Sequence, residues 1–245
     1  MGKVIMSGIV PTLKAPVDGF LASDIAVGST VKLTENGAAV EYLVVNHGIP
    51  SDSSLYDDSC DGVWLLRKDC VIRYRWGYGS QSNSGYDGSA IHAYLRDTFY
   101  PTFGEVEQAA IREVKVPYTG GGRSYDVHSG ADGLSCKVFL LSFFEVGFTV
   151  TYNFPTDGAK LDYFDSTDGT TASDKRIANT PDVSPYFWWL RNPQADSDMD
   201  STWDVTATGK ADYQYSHHDY GIRPAVIVPK TAVFDKTTML LKGVA

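Results

Sequence analysis

The side chains best able to carry chemistry gather near the end of this 245-residue chain. His217, His218 and Asp219 stand in a row, and Asp196, Asp198 and Asp200 alternate in "DSDMD". Imidazoles beside a carboxylate suggest metal ligation, and alternating aspartates suggest calcium. Neither pattern is complete. On a strand, His217 and His218 would point to opposite faces and could not converge on one ion without a turn. A calcium loop starting at Asp196 needs glycine at its sixth place and glutamate at its twelfth, where this chain has Ser201 and Ala207. The preferred reading is a solvated acidic loop, with a looser calcium site as the alternative. Nucleophilic catalysis has little to stand on either. No GxSxG elbow occurs, and Cys60, Cys70 and Cys136 all lie far from this stretch in sequence. His47, His92 and His128 are isolated, and His92 sits among helix core positions. The expectation is a non-enzymatic protein with no catalytic residue, no metal ligand and no cofactor.

What the same stretch does contain is recognition chemistry. Trp203, Tyr213, Tyr215 and Tyr220 are interspersed with Asp, Ser, Thr, Gln and His between residues 192 and 220. Flat aromatic rings provide contact area at low rotamer cost, and short polar groups fix orientation. The stretch holds six aspartates (196, 198, 200, 204, 212 and 219) against the single Lys210. That balance repels polyanions and suits a cationic, neutral or carbohydrate partner. The net charge of −9 likewise argues against nucleic acid. No apolar run approaches the roughly 20 residues that span a bilayer, so membrane insertion is not expected. The N-terminus lacks an apolar signal core, so no secretory signal is expected.

The elements that must position this patch are short strands. "STVKL" and "VEYLVVNHG" form a hairpin about Asn36-Gly37, and "GVWLLRKD" is a further strand. Ser89 caps a helix in "AIHAYLRDTF", with Ile91, Tyr94, Leu95, Thr98 and Phe99 on its apolar face and Pro101 as its stop. A second short helix at "GEVEQAAI" leads into the strand "REVKVPY". "TGGGRS" is a turn, since it lacks phosphate-loop spacing. "KVFLLS" is expected as a strand, "FFEVGF" as a short helix, and residues 153–184 as surface loops. "YFWWLRNP" and "GIRPAVIVP" are strands that bracket the polar stretch and hold it rigidly. Many short strands, mostly in small antiparallel sheets, with two short helices and long loops, give a mixed α+β class. Residues 1–23 read as an arm or edge segment before a single domain over 24–245. Cys60 and Cys136 each precede an apolar strand; if those strands are neighbours the thiols lie close, and buried free thiols are the preferred state.

"WWLRNP" followed by "YGIRPAVIVP" resembles the C-type-lectin-like fold of the formylglycine-generating-enzyme-like branch. More narrowly, the chain resembles the variable proteins of diversity-generating retroelements and their phage relatives. "AVGSTVKL", "VEYLVVNHGIP", "CDGVWLLRKD", "IHAYLRDTF", "EQAAI", "GLSCKVFLLSFFEVGF" and "DGAKLDYF" extend the resemblance over most of the chain. It implies a small sheet that displays a diversified ligand-binding loop region, 192–220, with the face itself running from Gln194 to Asp219. The candidate binding residues are Gln194, Asp196, Asp198 and Asp200, then Trp203, Asp204, Thr206, Thr208 and Lys210. Asp212, Tyr213, Tyr215, His217, His218 and Asp219 complete the face. The sugar-binding EPN and QPD motifs are absent, as is the C-terminal cysteine pair of the formylglycine-generating enzymes. Adenine-directed mutation of an Asn codon yields Asp, His, Tyr, Ser, Thr or Ile, and "YSHHDY" consists wholly of that set. The resemblance further implies a phage adhesin of a tail or head fibre, made in the host cytoplasm and carried on the virion. Its partner would be a bacterial surface protein or carbohydrate. The N-terminal arm would dock it to other virion proteins or to sister subunits as a homo-oligomer, adding avidity. The alternatives are a formylglycine-generating or calcium-dependent enzyme, and a virion structural protein that binds no specific ligand. Arg191 and Arg223, at the ends of the two bracketing strands, are expected to be structural, pairing with a carboxylate or capping carbonyls.

Overall fold

The computed structural model describes residues 18–51, 54–78, 85–120, 126–149, 155–164, 171–194 and 200–245. The class is mixed α+β, built on two larger sheets. The first runs in the order Ala225–Val228, Val63–Arg67, Ala38–His47, Thr30–Glu35, antiparallel throughout. Its hairpin is locally determined. Asn36 and Gly37 take φ of 48° and 77°, the positive values that a two-residue turn matched to strand twist demands. Val63 to Leu66 and Ala225 to Val228 are buried on both faces, which explains why both read as continuous apolar runs rather than alternations. Trp64 is edge-on to Tyr56 and Phe139, and its indole N–H donates to the Gly48 carbonyl at 3.0 Å.

The second sheet runs Ala211–Tyr215, Ser201–Val205, Trp188–Pro193, Asp219–Gly221, Arg73–Arg75. All its pairings are antiparallel except that of Trp188 with Gly221. The expected closing strand is therefore two strands. Asp219–Gly221 belongs to this sheet and Ala225–Val228 to the other, with Ile222, Arg223 and Pro224 crossing between them. Arg223 is buried at the crossing, where its Nε donates to the Arg67 carbonyl at 3.0 Å and its guanidinium lies 5.0 Å from the Trp188 ring centre.

The Ser89-capped helix is present over Ala90–Tyr94, with the Ser89 hydroxyl accepting from the His92 N–H. It continues as a wider π turn over Leu95–Phe99 and a 3-10 turn over Tyr100–Thr102, so Pro101 does not end it at once. The widened turn rotates the apolar stripe. Ile91, Leu95 and Phe99 are buried at intervals of four, Tyr94 is half-buried, and Thr98, expected in the core, faces out. Glu105–Ala110 is the second helix. "KVFLLS" is not a strand: the pairing ends at Cys136, and beyond it Phe139 makes only an isolated bridge to Ala225. Phe143 to Gly147 form turns rather than a helix, although Phe143 and Val146 are core residues.

Residues 1–17 of the expected arm, and 121–125 of the glycine-rich turn, lie outside the described residues. The arm's described end is an edge strand, Phe20–Leu21, paired with Ala232–Phe234. Cys60, Cys70 and Cys136 are free and buried. Cys136 pairs in register with Val114, and the Cys60 thiol donates to the adjoining Lys115 carbonyl, so both cysteines flank one strand. Among the described residues no helix is long and apolar enough to cross a membrane.

Candidate functional site

The polar stretch expected as a displayed loop is largely sheet. Ser201–Val205 and Ala211–Tyr215 form an antiparallel hairpin in continuous register from Ser201↔Tyr215 to Val205↔Ala211. Its turn is closed by Thr206, whose hydroxyl accepts from the Lys210 N–H at 3.0 Å, while the Thr208 and Lys210 side chains are exposed. Gly209 has φ of 75° and sits against the backbone of Ser173, where a side chain would not fit. The hairpin is thus pinned at its turn. At its other end Gln194 donates its backbone N–H to Ser201, and the Ser216 N–H donates to Asp200.

Strand alternation divides the predicted residues between two faces. Trp203 and Tyr213 share one face, with ring centres 5.5 Å apart in an edge contact, and Trp203 lies 4.6 Å from Phe143 of the core. Trp203 is therefore an anchor, and Tyr213 and Tyr215 present their rings to solvent, 45% and 49% exposed. Tyr215 stacks on His217 at 5.6 Å, and His217 and His218 stand edge to face at 4.9 Å. These two histidines lie in the turn before Asp219–Gly221, not on a strand, and that turn is what brings both rings together. Asp219 is exposed and faces Arg75 across the strands. Asp196 and Asp198 lie outside the described residues.

The opposite face carries Asp200, Thr202 and Asp204 on one strand, with Asp212 opposite Asp204 and Gln214 opposite Thr202. Trp189 lies on the other side of Asp204. The Tyr220 ring packs 4.8 Å from Trp189 and 5.1 Å from Phe187. Contrary to expectation, Asp204 is not displayed: it is fully buried, as is Thr202. Neither carboxylate oxygen of Asp204 has a hydrogen-bond partner, nor do Thr202 Oγ1 and Asp200 Oδ1, which are also buried atoms. Burial, followed by the neighbouring Asp212 carboxylate, pushes the Asp204 pKa up to about 8. Burial raises Tyr220 to about 12, with Asp204 next in effect. Trp189, Tyr186 and Phe187 belong to this face although none was a predicted site residue, and it includes Thr202 and Tyr220 of the predicted stretch. The alternation Asp200, Thr202, Asp204 against Ser201, Trp203, Val205 was the signal available for it.

One strand away, the polar groups are fully engaged. Arg191 is buried and forms a two-pronged pair with Glu145, both contacts at 2.7 Å. Its remaining N–H groups donate to the carbonyls of Pro117, Leu140 and Asp157. Glu145 also accepts from the Tyr56 hydroxyl and the Ser142 N–H. Asp157 accepts from Asn192 and from both donors of Thr119. This network ties the Trp188–Pro193 strand to four other segments. Arg191 has the structural role expected of it.

The family described as Domain of unknown function (DUF6273) matches residues 61–230. The chain belongs to this family. The DUF6273 segment takes in the whole five-stranded sheet and the Arg191 network apart from Tyr56, and leaves out the Thr30–Glu35 and Ala38–His47 hairpin. No curated protein and no solved structure matches the chain.

Proposed function

We propose that this protein is a non-enzymatic ligand-binding protein whose recognition surface is the edge hairpin of the five-stranded sheet and the turn that follows it. The observation that carries the reading is the exposure of Tyr213 and Tyr215 on a hairpin held in continuous register and anchored through Trp203 to Phe143, with His217 and Asp219 exposed just after it. Exposed rings with little freedom to move bind at small entropic cost. The finer reading adopts a C-type-lectin-like architecture akin to retroelement-diversified variable proteins, acting as a phage tail or head-fibre adhesin on a bacterial surface protein or carbohydrate. Adenine-reachable residue types at the exposed Tyr215, His217 and Asp219 support that reading, because diversification tolerates change only at positions that do not hold the fold.

The test replaces Tyr213, Tyr215 and His217 together with serine and compares both proteins on bacterial cells and a glycan array. Loss of binding with an unchanged melting temperature is the expected result. Binding that survives the triple replacement would place recognition elsewhere. Sequencing beside the gene adds a second check, through an adenine-rich near-copy of the 192–220 coding segment next to a reverse transcriptase.

A further inference from the structure

Asp204 and Asp212 face each other directly across two strands. Like charges in that position repel, so an ionised pair needs a proton or a cation to coexist. Among the described residues no lysine or arginine hydrogen-bonds to Asp204, and its two carboxyl oxygens are without partners. The adjoining Thr202 hydroxyl, on the same strand face, is buried and unpartnered as well. Beside the pair stands an aromatic wall, Trp189 and Tyr220, with ring centres 4.8 Å apart. Tyr220 feels both carboxylates, which puts the wall and the acids at one place. Asp212 and Tyr220 are half-buried and reachable, whereas Asp204 lies beneath them.

We propose that the Asp204–Asp212 pair, walled by Trp189 and Tyr220, receives the cationic side chain of a protein partner, a lysine or arginine. Asp212 is the outer contact and Asp204 the buried counter-charge beneath it. This rests on the recognition reading above and names the chemistry of its second face. Aromatic faces attract organic cations and contribute more as water is excluded. A metal ion is the poorer fit, because among the described residues no three His, Cys, Asp or Glu side chains are grouped to hold one. Arginine or lysine would supply the donors that Asp204 and Thr202 lack.

Binding must then be linked to protons. The titratable groups facing Asp204 are Asp212 on the neighbouring strand and, beyond Trp189, Tyr220, with Tyr186 and His218 packed on Tyr220. With its pKa near 8, Asp204 holds a proton at neutral pH, and a cation binds the ionised form better. Affinity should therefore rise as pH increases through about 8, with proton release on binding.

The experiment titrates the whole protein with a capped trilysine peptide, and with a capped triglutamine peptide as neutral control, by calorimetry at pH 6.5 and 8.5 in buffers of different ionisation enthalpy. The expected result is saturable binding of trilysine alone, tighter at the higher pH and accompanied by proton release. Asp204→Asn and Asp212→Asn should each weaken it about tenfold at pH 8.5, and Asp204→Asn should flatten the pH response. Asp58→Asn, an equal loss of charge at an exposed site outside the sheet, should leave binding unchanged. The proposal is overturned if Asp204→Asn binds like the parent, if Asp58→Asn weakens binding as much, or if calcium occupies the pair in place of the peptide. Should Asp204→Asn fail to fold, the half-exposed Asp212→Asn decides alone. Cell binding lost through Tyr213 and Tyr215 but with no trilysine binding would defeat this inference and leave the recognition reading intact. Trilysine binding without hairpin-dependent cell binding would do the reverse.

Discussion

Arg191 and Asp204 lie on adjacent strands, both completely buried and both ionisable, yet their surroundings are opposite. Every nitrogen of Arg191 has a hydrogen-bond acceptor, and its charge is met by Glu145 at 2.7 Å. Asp204 has no hydrogen-bond partner, and its nearest charged neighbour across the strands is another aspartate. Burial opposes both charges. For Arg191 it is more than offset by Glu145, which keeps the guanidinium pKa above its ordinary range. For Asp204 nothing offsets it, and the carboxyl keeps its proton instead. A satisfied buried network is a device for holding segments together, whereas an unsatisfied one costs stability in the free protein. The contrast marks the first as frame and the second as site.

The largest effect is expected from breaking the satisfied side. Glu145→Ala leaves a buried guanidinium unpaired and should cost about 3–5 kcal/mol, enough to unfold much of a marginally stable protein. Urea denaturation of the variant measures it. If the loss is below about 1 kcal/mol, the network is not the frame assumed here.

The next effect has the opposite sign. A carboxyl whose folded pKa is raised from 3.8 to about 8 favours the native state at low pH and penalises it as pH rises between those two values. Each pKa unit corresponds to about 1.4 kcal/mol. Asp204→Asn removes the titration and should recover about 2–3 kcal/mol at pH 8, less than the full linkage because the amide's own donors stay unpaired. Denaturation midpoints at pH 4.5 and 8 test it: the parent should lose stability over that interval relative to the variant, and parallel profiles would remove Asp204 from the account.

The two sides of this contrast were unequally legible in the sequence. Local signals carried through: Asn36-Gly37 forms the hairpin turn, Ser89 caps its helix, and the dense "WWLRNP" run is the central strand. Arg191 pairs with a carboxylate, and Arg223 donates to a backbone carbonyl, the two kinds of partner expected for them. The Ser201–Val205 strand was missed because Asp200, Thr202 and Asp204 make its inner face as polar as a loop. Burial of a carboxylate on that face is a tertiary property that no local pattern encodes. The widened turn at Leu95–Phe99, which moves Thr98 outward, and the sheet crossing at Arg223 likewise depend on packing between distant segments. "KVFLLS" is buried enough to look like a strand, yet among the described residues it makes only one bridge, from Phe139 to Ala225.

Arg223 is the intermediate case, buried and hydrogen-bonded to the Arg67 carbonyl but without a carboxylate in contact among the described residues. Burial lowers its pKa, unlike that of Arg191. Arg223→Ala removes the Arg67 bond and the Trp188 ring contact, and should cost about 2 kcal/mol and lower the melting temperature. Lost ligand binding at an unchanged melting temperature would instead move Arg223 to the site.

The smallest stability effect belongs to the exposed face, where it matters most for function. Tyr213 and Tyr215 leave about half their surface in water, and the Tyr213 ring meets Trp203 edge-on. Removing either ring should change stability by no more than about 0.5 kcal/mol. Trp203 is packed on Phe143, so Trp203→Ala should cost several times as much. Thermal denaturation of the three single variants measures the gap. Equal losses at all three positions would mean that the exposed rings are structural, and the separation between a packed face and a presented one would fail at the hairpin itself. A small loss at both tyrosines with a large one at Trp203 is what a stiff hairpin presenting replaceable side chains requires. Variation at Tyr213 and Tyr215 would then leave the fold intact, whereas variation at Trp203 would not.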